Sequence, residues 1–194
     1  VRPVERHGVG DFGSMSEFEY PDTVAGPYDA PPRTFVDRSG REIRVLQYDD
    51  EFAAVLAMYD AFDPAARAQG IPPVKEEAII EWLEVILAEN CINVLAWDGQ
   101  DVIGHATLVP DGQDACELAI FVLSAYQNAG IGTGLLEALL GAGRASGVDR
   151  VWLSVERWND PAVALYQKVG FEAGEAGSFE LEMTAALTER ATEQ

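Results

Sequence analysis

The chain has 194 residues, 48% of them hydrophobic, which is enough to bury one sizeable core and argues for a single domain. Its 33 acidic against 13 basic residues leave a formal net charge of −20, a surface that repels nucleic acid and disfavours a DNA-binding module. No apolar run approaches the roughly 20 residues of a membrane span, and the start VRPVERHGVGDFG has no apolar signal segment, so a soluble cytoplasmic protein with no nucleic-acid or membrane partner is expected.

Only Lys75 and Lys168 are lysines, and the excess of acid resembles the composition of halophilic proteins. Molar salt would shorten the Debye length to about 3 Å and remove most of the penalty for binding a polyphosphate next to such a surface. Cys91 and Cys116 form no CxxC pair, and His7 and His105 are the only histidines, so neither a metal site nor a disulfide is expected. Two buried, reduced thiols are the expectation.

In chain order, residues 1–40 read as a Pro/Gly-rich N-terminal arm, partly extended or disordered, marked by Pro21, Gly26, Pro27, Pro31 and Pro32. Deleting residues 1–32 is expected to leave the fold intact; unfolding at a much lower temperature after truncation would show the arm packed, a homodimer partner being one surface for it. Met15 is a second candidate start. A folded domain over residues 41–184 and a tail over 185–194 complete the division.

Residues 42–48 alternate as a strand, and Asp49 or Asp50 is placed to cap a helix with Phe52, Val55, Leu56 and Tyr59 on one face. Gly70 to Pro73 breaks the chain before a second helix over residues 75–89, which carries Ile79, Leu83 and Ile86 as its stripe. Strands over 92–97, 102–109 and 115–123 are separated by Asp98-Gly99 and Asp111-Gly112, hairpin signals that predict an antiparallel meander. The period then becomes helical over 130–146, with Ile131, Leu135, Leu136, Leu139 and Leu140 buried. A strand over 151–155 follows. A short helix over 161–169 is capped by Asn159 or Asp160, opened by Pro161 and closed by Gly170. Phe171 and residues 178–183 read as closing strands. This order predicts an α/β fold with a mixed, mostly antiparallel central sheet flanked by helices.

The stretch ELAIFVLSAYQNAGIGTG, from Glu117 to Gly134, takes a strand through a polar turn into a glycine-led helix. Glycines at 130, 132 and 134 let the backbone approach a ligand, and the unpaired N–H groups of a first helical turn suit a phosphate or pyrophosphate. A Walker loop fails because no Gly-Lys-Ser/Thr follows. The dinucleotide fingerprint fits Gly130-x-Gly132, with Glu156 as a ribose-binding acid. It is opposed by Leu135 at the third glycine position, by the insertion of residues 124–129, and by too little remaining chain for a second half.

Gln127-x-x-Gly130-x-Gly132, after a strand ending Ile120-Phe121-Val122, resembles the acyl-coenzyme A motif of the GNAT family of N-acetyltransferases. The later Asn159, Leu165-Tyr166 and Gly170-Phe171 resemble that family's C-terminal signature, so the resemblance runs from about residue 41 to 183. It implies acetyl transfer from acetyl-CoA, as co-substrate and without a metal, to a primary amine of a small molecule or protein by direct attack in a ternary complex. The alternative it leaves is a non-catalytic acyl-CoA-binding sensor.

The resemblance also implies a site. Backbone N–H groups of Gln127, Asn128, Ala129, Gly130, Ile131, Gly132 and Thr133 would hold the pyrophosphate. The edge of Ile120, Phe121 and Val122 would pair with pantetheine, much as an added strand does. A bulge there would free an N–H near Ile120 to polarise the thioester carbonyl. Transfer needs an ammonium deprotonated, an oxyanion stabilised and a thiolate protonated. Tyr166 is the candidate acid, and it also stands among the cofactor-binding residues. Glu117 is the candidate base, acting directly or through water, on the strand face it shares with Ala119. His105 is the alternative base. Glu156 and Asn159 are candidate substrate or coenzyme contacts. Residues 59–82, with Phe62, Arg67 and Pro72-Pro73, would wall the acceptor, for which an acidic mouth suits a cationic amine.

Overall fold

The structure, a computed structural model, describes residues 18–63, 71–176 and 179–189. Among them are eight strands and four helices: β1 (Arg33–Val36), β2 (Glu42–Gln47), α1 (Phe52–Asp60), α2 (Glu76–Ile86), β3 (Ile92–Asp98), β4 (Asp101–Pro110), β5 (Cys116–Val122), α3 (Ile131–Ala145), β6 (Arg150–Glu156), α4 (Asp160–Lys168), β7 (Glu172–Ala176) and β8 (Glu180–Ala186). The strands form one sheet in the order β1-β2-β3-β4-β5-β6-β8-β7, antiparallel throughout except for the parallel pair β5–β6. The predicted mixed, mostly antiparallel class is therefore what the chain adopts.

Strand alternation builds two cores. Ile43, Val45, Val94, Ala106, Leu118, Leu153 and Met183 point to the face covered by α3, whose Leu135, Leu136, Leu139 and Leu140 are completely buried. Leu95, Val102 and Phe121 point the other way, against Val55, Met58 and Tyr59 of α1 and Ile79, Trp82 and Leu83 of α2. Burying a Leu or Ile side chain contributes about 1.5–3 kcal/mol, so these two stripes carry most of the driving force.

Caps follow the sequence at one helix and depart from it at another. Asn159 Oδ1 accepts the Ala162 N–H at 3.3 Å to cap α4, and Gly170 (φ 97°) ends it. At α1 the expected Asp cap is absent: Glu51 occupies the cap position without a side-chain cap bond, and its carboxylate accepts the Asp49 N–H at 2.7 Å instead. Asp50 is in the left-handed region (φ 71°), one residue before the cap position.

The N-terminal segment, extended as expected, is packed from Phe18 onward. Phe18 stacks on Trp152 with ring centroids 4.8 Å apart, and Thr184 Oγ1 donates to the Glu19 carbonyl at 2.7 Å. Val24 bridges Ala186, Ala25 is buried, and the Tyr28 hydroxyl donates to the Val169 carbonyl at 3.2 Å. A Cβ on Gly141 would fall 2.5 Å from the Asp29 carbonyl carbon, so the segment lies directly on α3. These contacts correct the expectation that residues 1–32 are dispensable. The segment also contains β1, an edge strand that its prolines conceal. The turn after β1 is held by Asp37. Burial raises this carboxyl's pKa, but hydrogen bonds from the Arg41 and Ser39 N–H groups and the Arg41 guanidinium outweigh that and hold it below the ordinary range.

Cys91 and Cys116 are free; Cys116 is buried as expected, whereas Cys91 is half-exposed. No helix among the described residues is long and apolar enough to cross a membrane.

Candidate active site

β5 and β6 pair only at Cys116↔Val151 and Glu117↔Trp152, then diverge. On its other side β5 stays in unbroken register with β4 from Cys116 to Val122. The Leu123 N–H donates to the Ile103 carbonyl at 3.0 Å, which fixes the antiparallel alternation. By that alternation, residues 118, 120 and 122 direct their N–H and C=O away from β4 and into the opening toward β6. The Ile120 peptide therefore faces the gap without the expected bulge in β5. The register shift lies between β3 and β4, beside Ala96 and Trp97.

From β5 the chain passes through a short 3-10 turn, Ser124–Tyr126, and reaches α3 through Asn128 (φ 59°) and Gly130 (φ 90°). Gly130 is required by its backbone, since a Cβ there would meet nothing within 4 Å but an L side chain disfavours that φ. The other two glycines serve packing: a Cβ on Gly132 would lie 3.2 Å from Leu165 of α4, and one on Gly134 would lie 2.6 Å from the Phe35 ring of β1. The first α3 bond is Gly134 N–H to the Gly130 carbonyl, so the N–H groups of residues 128–133 donate to nothing among the described residues. This run of free donors, at the positive end of a 15-residue helix, is a built anion site. Gln127 lies at its edge, and its Nε2 donates to the Val122 carbonyl at 3.0 Å, tying the cradle to the strand end.

A cleft of about 540 Å³ joins these elements. Ile120, Phe121, Val122, Gln127, Asn128, Gly130, Gly132, Thr133, Glu156, Asn159 and Tyr166 line it, together with Ser154 and Phe62. Ala129 and Ile131 are buried in the core and do not line the cleft. Tyr166 is half-buried, edge-on to Phe171 at 5.9 Å, and burial pushes its phenol up to about 12.

Glu117 does not line the cleft. It sits where β5 and β6 are still joined, in register with Val109 and Trp152, half-buried on the face that Ala119 and Phe121 share with α1 and α2. His105 is a core residue. Its Nε2 donates to Asn93 Oδ1 at 2.8 Å and its Nδ1 accepts from the Tyr59 hydroxyl at 2.7 Å, a tautomer fixed by Asn93 Nδ2, which is committed to the Ile86 carbonyl at 2.9 Å. Burial pushes the imidazole down to about 3, so the alternative base is enclosed, neutral and out of reach. Arg67 lies outside the described residues.

Two cations that the sequence reading left aside stand at the cradle. The Arg38 N–H donates to the Ala129 carbonyl at 3.0 Å and its Nη1 to the Asn128 carbonyl at 3.3 Å, and Lys168 Nζ reaches Thr133 Oγ1 at 3.5 Å. Lys168 carried a signal as one of two lysines, two residues before Gly170; Arg38, in a turn of the arm, carried none.

A sheet whose single parallel pair splays beside a glycine-capped helix defines an acyl-CoA N-acyltransferase fold. The chain belongs to the Acetyltransferase (GNAT) family, whose model matches residues 52–171. It is 37% identical over 81 residues to mycothiol acetyltransferase of Corynebacterium glutamicum, a match covering 41% of this chain and 28% of that protein. The match thus spans little more than a quarter of that relative's length. Among solved structures it resembles the GNAT domain of S. lividans PAT (TM-score 0.67, 16% identity, 80% of this chain and 96% of that one). It also resembles yncA from Salmonella typhimurium, solved with its cofactor acetyl-CoA (TM-score 0.62, 20% identity, 77% and 96%).

Proposed function

We propose that the protein transfers an acetyl group from acetyl-CoA to a primary amine within a ternary complex. One observation carries this: the unpaired Ile120 peptide opens into the same cleft as the free N–H run of residues 128–133. The cradle would take the pyrophosphate and the open edge of β5 the pantetheine amides. Bound in this way, the thioester carbonyl would come within reach of the Ile120 N–H, a fixed donor for the developing oxyanion.

The amine nitrogen attacks the carbonyl carbon, the C–S bond breaks, and the departing sulfur takes the phenolic proton of Tyr166. With its pKa raised by burial, this phenol stays protonated across the physiological range and is available as an acid. The proton lost by the amine goes to a carboxylate. Glu156 lines the cleft directly, whereas Glu117 at the closed end works through water. Ser154 and Glu156 at the open end, with Phe62 and Phe121 opposite, suit a cationic amine attached to an apolar group. The match to mycothiol acetyltransferases supports a small-molecule amine, and the composition supports a cytoplasmic enzyme working at high salt.

Release of free thiol from acetyl-CoA, followed across a panel of amines in molar salt, tests the reading. Thiol release with at least one amine supports it. Tight binding with no release for any amine overturns it in favour of an acyl-CoA sensor.

A further inference from the structure

Between β1 and β2 the chain reverses over residues 37–41, and one buried carboxylate organises the turn. Asp37 Oδ1 accepts the N–H groups of Ser39 at 2.8 Å and Arg41 at 2.9 Å, while Oδ2 takes the Arg41 guanidinium through Nε and Nη2, at 2.7 Å each. The Asp37 side chain has no exposed surface, so molar salt screens this pair little. Held there, the guanidinium reaches the segment that leads from β5 to α3. Its Nη1 donates to the Ala125 carbonyl at 3.4 Å, and its Cζ lies over the Tyr126 ring, 4.2 Å from the centroid; the Tyr126 hydroxyl in turn donates to Asp98 Oδ2 at 3.0 Å. The same turn grips the far end of that segment through Arg38, whose N–H donates to the Ala129 carbonyl at 3.0 Å and whose Nη1 donates to the Asn128 carbonyl at 3.3 Å. A peptide unit is planar and trans, so a carbonyl and the N–H that follows it point opposite ways. Fixing the Ala129 carbonyl on the turn therefore directs the Gly130 N–H away from it, as one of the free donors of the cradle.

We propose that Asp37 and Arg41 are positioning residues for the coenzyme: they lock the β1–β2 turn into a clasp that holds residues 125–129 at both ends and so sets the cradle's place relative to the open edge of β5. The proposal rests on the acyl-CoA reading of the cradle and adds residues that precede the family match over 52–171. Neither Asp37 nor Arg41 lines the main cleft, so their effect on a bound coenzyme passes through the main chain. The segment needs such a clasp. Asn128 stands at φ 59°, a conformation that an L residue keeps only when its surroundings hold it there. Donors left to wander would have to be ordered by the ligand itself, at a cost in affinity.

The test is calorimetric binding of acetyl-CoA in molar salt to the wild type, Arg41→Gln and Asp37→Asn, with Phe18→Ala as a control at the joined end of β5 and β6. Asp37→Asn keeps an acceptor for the Ser39 and Arg41 N–H groups and releases only the guanidinium, toward which the new amide turns a donor. Either clasp variant should weaken acetyl-CoA about tenfold, the worth of one hydrogen bond to an anion, and should shift the Gly130 amide resonance of the free protein. Phe18→Ala should lower the melting temperature with neither effect, a split that separates positioning from plain stability. Wild-type affinity in both clasp variants, or an equal loss of affinity in Phe18→Ala, overturns the proposal. Should a clasp variant fail to fold, Arg41→Lys decides, since it keeps a charge beside Asp37 but loses the fork that reaches Ala125 and the plane that covers Tyr126. Weakened coenzyme binding there supports the clasp and wild-type binding overturns it. Failure of the wild type to bind acetyl-CoA would overturn the acyl-CoA reading itself, a distinct result.

Discussion

His105 makes a quantitative prediction about pH. In the folded chain its imidazole is neutral and completely buried, with its pKa pushed down to about 3, whereas in the unfolded chain it titrates near 6.5. A folded pKa below the unfolded one means the stabilisation is complete above pH 6.5 and declines as the pH falls toward 3, because only the unfolded state takes up the proton. Between pH 7 and pH 5 that uptake favours unfolding by about 2 kcal/mol, which for a domain of this size lowers Tm by roughly 4–8 °C. His105→Gln keeps both hydrogen bonds, since its amide can donate to Asn93 and accept from Tyr59, and it does not titrate. Urea unfolding of both proteins at pH 7 and pH 5 isolates this residue, because every other group is common to the two. The wild type should lose about 2 kcal/mol more than the variant over this interval. Equal losses, within about 0.5 kcal/mol, would show that the imidazole is not held neutral in the fold and refute the reasoning.

Tyr166→Phe should lower kcat about a hundredfold or more while leaving acetyl-CoA affinity nearly unchanged, and the wild-type rate should show no alkaline decline assignable to this phenol below about pH 11. Glu156→Gln should reduce the rate more than Glu117→Gln, most steeply below the pKa of the acceptor amine, because only Glu156 lines the cleft; a pH-rate profile of each variant checks the order. Gly132→Glu should abolish coenzyme binding by calorimetry, since its side chain would press on Leu165 and bring negative charge to the free N–H groups. Deleting residues 1–32 should lower the unfolding temperature sharply in a thermal melt, because it strips the Ala25, Tyr28 and Asp29 contacts from β8, α4 and α3.

The helices and meander strands were legible because their periods are long and clean: a Leu stripe at 135, 136, 139 and 140 has no other economical use. The cradle was legible for a different reason. It is made of backbone, and Gly130 at positive φ leaves its mark directly in the sequence. What stayed hidden depends on tertiary contact. β1 has four residues between a Pro-Pro pair and a turn, too short for its alternation to register. A histidine in an alternating strand reads alike whether it faces water, a cleft or a core, so the sequence leaves His105 open between an alternative base and a structural residue, and only its enclosure by Tyr59 and Asn93 decides. The distance of Glu117 from the cleft follows from where β5 and β6 part, and no spacing in β5 encodes that point.

The stack of Phe18 on Trp152 seats the N-terminal segment against the joined end of β5 and β6, where Trp152 pairs with Glu117, and neither ring lines the cleft. The segment is thereby fastened at the end of the β5–β6 pair that does not open, so its packing and the entry of both substrates draw on different parts of the same two strands.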